Sequence, residues 1–307
     1  MDQQNKEIAR GTSFAVLAYT LWGVLPLYWN LLAAFDPMII LAHRVLWALI
    51  TITVILAVRK QLKQLLQCFK DWKTILLGIT AGLLITGNWF LYIWAVNSGM
   101  VLETSFGYYI NPIISVFLAT VVLREPFGRP LMIAFLLATA GVLLQFFLLG
   151  EFPWVAVVLA STFALYGLVK KALKAPPLVS LNIETLVALP LGIAFMVFQG
   201  GFTGSVEPSG LQWLFLLGSG PLTALPLLLF TSAAQKIPLV MIGFLQYLAP
   251  TIGFFLGVFI FKETFDLWKL LSFALIWGAV GVFTWDQFNQ ARKRKLNSVS
   301  VKIPPAL

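Results

Sequence analysis

Arg44 and Glu184 stand well inside long apolar stretches of this chain, and each carries a group that can do chemistry there. Charge in hydrocarbon is expensive, so such residues are functional candidates by default. An intramembrane guanidinium can clamp an anionic group or exchange one partner for another. Its structural alternative is an ion pair with Glu103, or a side chain that snorkels outward. Glu184 is the first proton-coupling candidate: burial favours the neutral carboxyl, which can load and release a proton as its surroundings change. Its structural alternative is a carboxyl bonded to a neighbour such as Asn182 or Thr185. His43 is the second candidate, because imidazole titrates near neutral pH. It shares a helix face with Trp47 four residues on, and a hydrogen-bonded structural role competes with proton transfer.

A set of aromatic and amide side chains accompanies these groups. Trp22, His43, Arg44, Trp47, Asn88, Tyr92, Asn97, Tyr108, Tyr109, Asn111, Tyr166 and Tyr247 are the candidate substrate pathway. Asn88 with Tyr92, and Tyr108 with Asn111, sit one helical turn apart. Rings with polar tips, joined by amides, can bind a flat, partly apolar solute by stacking and hydrogen bonding. Each ring taken singly also fits ordinary helix packing. Pro112 and Pro250 each remove a hydrogen bond in mid-span and are candidate hinges. Gly78, Gly82 and Gly87 permit close helix approach, while Glu125 and Glu263 are placed to cap or pair at helix ends.

The elements that must position these residues are membrane spans. Hydrophobic residues make up 60% of the 307 and charged residues 11%, against about 25% charged in an ordinary soluble domain. Ten apolar runs long enough to cross a bilayer cover approximately 11–32, 38–58, 74–97, 102–123, 130–149, 154–169, 178–199, 211–231, 238–260 and 268–286. Barrel strands are excluded, since the runs do not alternate and are about twice the necessary length. The first run lacks a clear cleavage site and reads as a retained span. One Cys and one His exclude a disulfide scaffold and leave no metal site or cofactor motif.

With the amino terminus in the cytoplasm, 18 of the 21 Lys and Arg residues fall in cytoplasmic segments, including 170–177. Only Lys262 and Lys269 fall on the other side, so both termini are expected to be cytoplasmic. The bias accounts for the net charge of +9 without nucleic acid. The run Arg292–Lys295 can touch anionic lipid headgroups.

Shifting the chain by 138 residues places Pro112 on Pro250, Phe106 on Phe244, Tyr109 on Tyr247, Phe117 on Phe255 and Glu125 on Glu263. Leu21-Trp22-Gly23 matches Leu165-Tyr166-Gly167 at a slightly larger shift. The expected fold is therefore an all-α integral membrane protein of ten transmembrane helices, built as two five-helix repeats. Five is odd, so the repeats are inverted in the bilayer. The expected division is 1–149, 150–287 and a basic cytoplasmic tail, 288–307. Arg44 and Glu184 each lie about six residues into their runs. Inversion then sets their backbones about 12 Å apart in depth, which argues against a direct pair. Inverted repeats are chiefly a transporter signature, with substrate near the midplane. A membrane enzyme would need a catalytic cluster that the residues do not provide. A passive channel and a non-transporting scaffold are the rival functions, and the chain is expected as a monomer or homodimer.

The layout, with Pro in the fourth and ninth spans and Glu at their ends, resembles the EamA branch of the drug/metabolite transporter superfamily over about residues 11–287. More narrowly, Leu21-Trp22-Gly23 with Pro26, His43-Arg44 with Trp47, and Asn88-Trp89 leading to Tyr92-Ile93-Trp94-Ala95-Val96-Asn97 resemble its RarD subgroup. So do Gly107-Tyr108-Tyr109-Ile110-Asn111-Pro112 and Gln246-Tyr247 followed by Ala249-Pro250-Thr251. The resemblance implies a multi-pass permease of the bacterial inner membrane, often labelled a chloramphenicol-sensitivity protein. That label names a phenotype and leaves the solute, and its direction of transport, open.

Overall fold

The computed structural model describes residues 3–98, 100–149, 152–260, 262 and 267–300, with the side chains at 4, 5, 97, 101–103, 148, 149, 269, 291 and 293–300 outside the description. The regular elements of the described backbone are all helices: α1 (Gln3–Asn30), α2 (Pro37–Val58), α3 (Leu62–Cys68), α4 (Trp72–Asn97), α5 (Val101–Val121), α6 (Arg129–Leu149), α7 (Trp154–Ala172), α8 (Pro177–Phe198), α9 (Gly210–Ala234), α10 (Leu239–Leu245), α11 (Leu248–Phe259) and α12 (Leu267–Ser300). Local chemistry sets the ends. Asp36 accepts the Met38 amide just before Pro37 opens α2, the preferred place for proline. Asp71 caps α4 through the Thr74 hydroxyl and the Lys73 amide, and these bonds hold its carboxyl below the usual carboxylate range. Ser209 and Gln212 close a reciprocal capping box at α9.

Among the described residues ten segments are long and apolar enough to cross a membrane, and each overlaps one of the ten runs. Their outer faces stay apolar: Phe198 is 85% exposed, Val58 77% and Phe147 76%. Water would not tolerate such faces around the whole molecule, whereas lipid requires them. α10 and α11 together make the ninth span, interrupted at Gln246–Tyr247. There Pro250 lacks the amide hydrogen that the Gln246 carbonyl would otherwise accept, and the Ala249 amide takes its place. Pro112, its counterpart, lies inside an unbroken α5.

The contacts divide the chain into two compact units. One comprises Met1–Glu125 and Pro153–Glu263, the other Pro126–Phe152 and Thr264–Leu307. The second unit is α6 packed on α12, where the Ser272 hydroxyl donates to the Gly141 carbonyl at 2.6 Å. The first holds the other eight spans: α1 packs on α9 and α11, α2 on α8 and α9, α4 on α7 and α8, and α5 on α7 and α10. Exchanging the first repeat for the second maps this set of pairs onto itself. Tyr247 even donates to the Tyr109 carbonyl, its own repeat mate, at 3.3 Å. Two equivalent residues can touch only near the axis that relates them. The fold is thus two inverted five-helix repeats. α12 is 34 residues long, about 50 Å at 1.5 Å per residue. It therefore outlasts the span expected at 268–286 and carries the basic segment as a helix as far as Ser300.

Candidate functional site

Two polar centres lie in the eight-span unit, one half-buried and one buried. The first surrounds Arg44, two turns into α2. Its Nε–H donates to the Thr223 hydroxyl of α9 at 3.0 Å. Its guanidinium carbon sits 4.7 Å from the Trp29 ring centroid and 5.2 Å from that of Trp89, so two indole faces supply the favourable field. The phenols of Tyr92 and Tyr108 are its electrostatic neighbours, and their rings meet edge to face at 6.4 Å. Five helices, α1, α2, α4, α5 and α9, therefore converge on one cation. Among the described residues no carboxylate pairs with it. The expected partner, Glu103, has its side chain outside the described residues, as does Asn97.

α9 reaches Arg44 because Gly220 lets it lie against α2. A Cβ there would fall 2.3 Å from the Trp47 carbonyl carbon. Gly82 plays the same part between α4 and α8, where a Cβ would fall 2.8 Å from that of Val187, whereas Gly87 faces open space.

Arg44's neighbours Tyr92 and Tyr108 also line a cleft of ≈ 30 Å³, together with Asn88, Thr104, Gly107, Asn111, Leu159 and Phe163. Asn88, Tyr92, Tyr108 and Asn111 of the expected pathway thus meet in one place. Tyr108 is 51% and Tyr92 37% exposed. The Asn88 amide nitrogen donates to the Leu159 carbonyl and the Thr162 hydroxyl, both at 2.8 Å, and Asn111 accepts from Ser115 at 3.1 Å. A plug of rings continues from Phe163. Trp22 packs on Phe163 at 5.9 Å and Phe230 at 5.8 Å, Tyr19 on Trp22 at 5.5 Å, and Tyr166 stacks on Phe230 at 5.7 Å. Trp22 and Tyr166, repeat mates in sequence, share these two phenylalanines.

The second centre lies behind the plug. Lys170 is 0% exposed and paired with Glu184, 2% exposed. Ser180 donates to Glu184 Oε1 at 2.7 Å and accepts from Lys170 at 2.6 Å; the Tyr166 hydroxyl donates to Oε2 at 2.9 Å. Glu184 therefore has three hydrogen-bonding partners in this conformation, Lys170, Ser180 and Tyr166. Asn182 turns instead to the Thr53 hydroxyl at 2.9 Å, and Thr185 to the Leu181 and Asn182 carbonyls, both at 3.0 Å. Sequence reasoning missed Lys170, which it counted as a loop cation. α7 runs on to Ala172 and buries it. The available signal was its spacing, one turn beyond Tyr166 on the same face.

Further ties gather at the same end. Lys171 bonds the Ile237 carbonyl and lies 3.9 Å from Glu125, Lys236 pairs with Glu7, and Gln235 donates to the Leu173 and Ala175 carbonyls. Glu125 accepts both the Leu239 and Val240 amides at 2.8 Å, capping α10. Its counterpart Glu263 lies outside the described residues.

His43 is buried near the opposite end. The Trp47 indole N–H, a donor only, points at Nδ1 at 2.9 Å, and the Phe202 carbonyl, an acceptor only, lies 2.8 Å from Nε2. Nδ1 must then accept and Nε2 carry the hydrogen, so the ring is neutral with both nitrogens engaged.

The EamA-like transporter family model matches residues 9–147 and 153–285. The chain belongs to the EamA-like transporter family. This EamA-like chain is 40% identical over 295 residues to the uncharacterized transporter YojE of Bacillus subtilis, covering 95% of this chain and 99% of that one. It is 37% identical to the uncharacterized transporter PA0485 of Pseudomonas aeruginosa, covering 93% and 97%, and 35% identical to protein RarD of Escherichia coli, covering 94% and 98%. It sits in the RarD subgroup. A crystal structure with a TM-score of 0.70 and 18% identity covers 90% of this chain and 97% of its own, and shares the fold. The protein is a multi-pass bacterial membrane transporter rather than an enzyme.

Proposed function

We propose that the protein is a secondary-active carrier of a small solute, working by alternating access around the Arg44 cleft. The observation that carries this is the asymmetry along the eight-span unit. A cleft with half-exposed tyrosines lies on one side of a ring plug, and a fully paired Lys170–Glu184 centre lies on the other. A passive channel needs a continuous wet path, which Tyr19, Trp22, Phe163, Tyr166 and Phe230 fill. With both termini cytoplasmic, the ion-paired end holding Glu7, Glu125, Lys171 and Lys236 is the cytoplasmic gate, closed in this conformation. The symmetry of the helix pairs supplies the second state, in which the two repeats exchange roles. Pro112 and the break before Pro250 are the compliant points where α5 and α10 meet.

Proton coupling follows from the same centre. While Lys170, Ser180 and Tyr166 hold Glu184, it keeps its charge; once the gate opens and Lys170 withdraws, the carboxyl takes a proton. His43, with both nitrogens bonded, is held as a structural group.

Liposome flux tests the reading. Counterflow separates a carrier from a pore, since only a carrier is stimulated by unlabelled solute on the far side. Glu184→Gln is expected to remove the pH dependence of net flux and spare counterflow. A Lys170→Gln/Glu184→Gln double variant, which leaves no unpaired charge, guards against a folding defect. A pH dependence that survives in both variants sinks the coupling role. Reporter fusions after residues 35 and 205 should read periplasmic, and after 65 and 173 cytoplasmic.

A further inference from the structure

Arg44 and Glu184 are equivalent residues: each lies seven positions beyond the proline, Pro37 or Pro177, that opens its helix. Glu184 finds its counter-charge in Lys170. The residue at the corresponding place of the first repeat, by the match of Trp22 to Tyr166, is Pro26. No carboxylate among the described residues fills the complementary role for Arg44. Of its five N–H donors one is spent on Thr223. Trp29 and Trp89 offer π-faces, which attract a cation without accepting its remaining hydrogens in line. Among the described residues a cation so placed is incomplete, and its neighbours Tyr92 and Tyr108 line the cleft.

We propose that the missing partner is the solute: the cleft takes a small organic anion, its carboxylate on Arg44 and its flat unsaturated body between the rings of Tyr92, Tyr108, Trp29 and Trp89. The proposal rests on the carrier reading and adds the substrate class. A planar carboxylate suits the guanidinium fork, which it meets in two parallel hydrogen bonds. Aromatic walls suit a ring or conjugated chain better than an aliphatic one. Because the cleft is only ≈ 30 Å³, the solute enters by displacing the Tyr92 and Tyr108 rings. A neutral isostere would leave the guanidinium unpaired, the kind of mismatch a buried site rejects strongly.

The test is a pairwise binding measurement on the full chain in a neutral detergent, by calorimetry and thermal shift. Benzoate is compared with benzamide, and indole-3-acetate with indole-3-acetamide. The expected result is that at least one acid binds about tenfold or more tightly than its amide. Arg44→Gln should abolish that preference, Arg44→Lys retain part of it, and Arg59→Gln, an exposed cation at the end of α2, leave it intact. Equal binding of acid and amide, no acid binding at millimolar concentration, or a preference that survives Arg44→Gln overturns the proposal. Neutralisation of Arg44 within the chain by Glu103 gives the first of these results. Phosphatidylglycerol, added as a competitor, distinguishes a lipid headgroup: displacement of Arg44-dependent acid binding by the lipid at stoichiometric amounts assigns the site to lipid and overturns the solute. Carrier activity is scored separately by counterflow. A transporter whose flux favours a neutral solute and ignores Arg44→Gln keeps the carrier reading and loses this one.

Discussion

Arg44 and Glu184 stand at the same place in the two repeats, yet the chain treats their charges in opposite ways. Glu184 is enclosed by Lys170, Ser180 and Tyr166, with no accessible surface to spare. Among the described residues Arg44 has one hydrogen bond, to Thr223, and two indole faces, and its neighbours Tyr92 and Tyr108 line a cleft. A buried pair that satisfies itself costs desolvation and returns little net stability. Its use is to hold one arrangement and to register its loss. A buried cation left partly open invites something from outside. On the proposed reading the inverted repeat uses one symmetric position as a lock and the other as a receptor, which is the division a carrier needs if closing one side is to depend on what occupies the other.

The largest effects should come from halving the lock. Lys170→Met or Glu184→Leu alone leaves a buried charge without its partner and is expected to cost about 3–5 kcal/mol, read as a lower unfolding temperature in detergent. The double variant should recover most of the loss while net flux stays independent of pH. Single variants as stable as the parent would mean that the pair is not closed in the populated state. Tyr166→Phe comes next. It removes one hydrogen bond to a carboxylate, about 1.5–3 kcal/mol, and leaves the stack on Phe230 in place. Loss of the same size in Phe230→Leu but none in Tyr166→Phe would locate the stability in the ring plug instead of the pair.

These two centres were unequally legible in the sequence. Ten apolar runs and a shift of 138 residues were enough for the fold, because spans are set by composition over twenty residues and tolerate error at their ends. The Arg44 neighbourhood was half visible. Tyr92, Tyr108, Asn88 and Asn111 announced themselves as polar tips in apolar runs, but Trp29 and Thr223 became partners only when Gly220 allowed α9 onto α2, a contact 179 residues apart in sequence for the Arg44–Thr223 bond. Lys170 was misread for a related reason. A lysine two residues before a span's end looks like a loop cation, and only the position of α8 decides whether its amine reaches water or Glu184. Helix register is local; partner choice is not.

Arg44→Gln should cost less stability than the lock variants, about 1–2 kcal/mol for one hydrogen bond and the indole contacts, because no ion pair is broken among the described residues. Function should suffer far more than folding. Near-parental unfolding with lost solute binding is the expected combination. A collapse in membrane abundance would instead class Arg44 with Glu184, as half of a structural pair.

The smallest effect separates the two proton candidates. Trp47→Phe removes the indole donor from His43 Nδ1, a loss of about 0.5–1.5 kcal/mol. In the parent protein the Trp47 and Phe202 bonds dictate the Nε2–H tautomer, so the ring-nitrogen NMR spectrum at pH 7 should show one neutral form. The variant should keep the Nε2–H tautomer, which the Phe202 carbonyl still requires, with a shifted Nδ1 resonance because that lone pair has lost its indole donor. A ring fixed from both sides cannot pick up a proton without giving up its tryptophan, whereas in the proposed mechanism Glu184 changes state by parting from Lys170 as the gate moves. His43→Gln is therefore expected to keep the pH dependence of net flux, with any loss confined to stability. If flux in that variant no longer responds to pH while Glu184→Gln still does, the coupling role passes from Glu184 to His43, and the Lys170–Glu184 centre remains a lock without a proton.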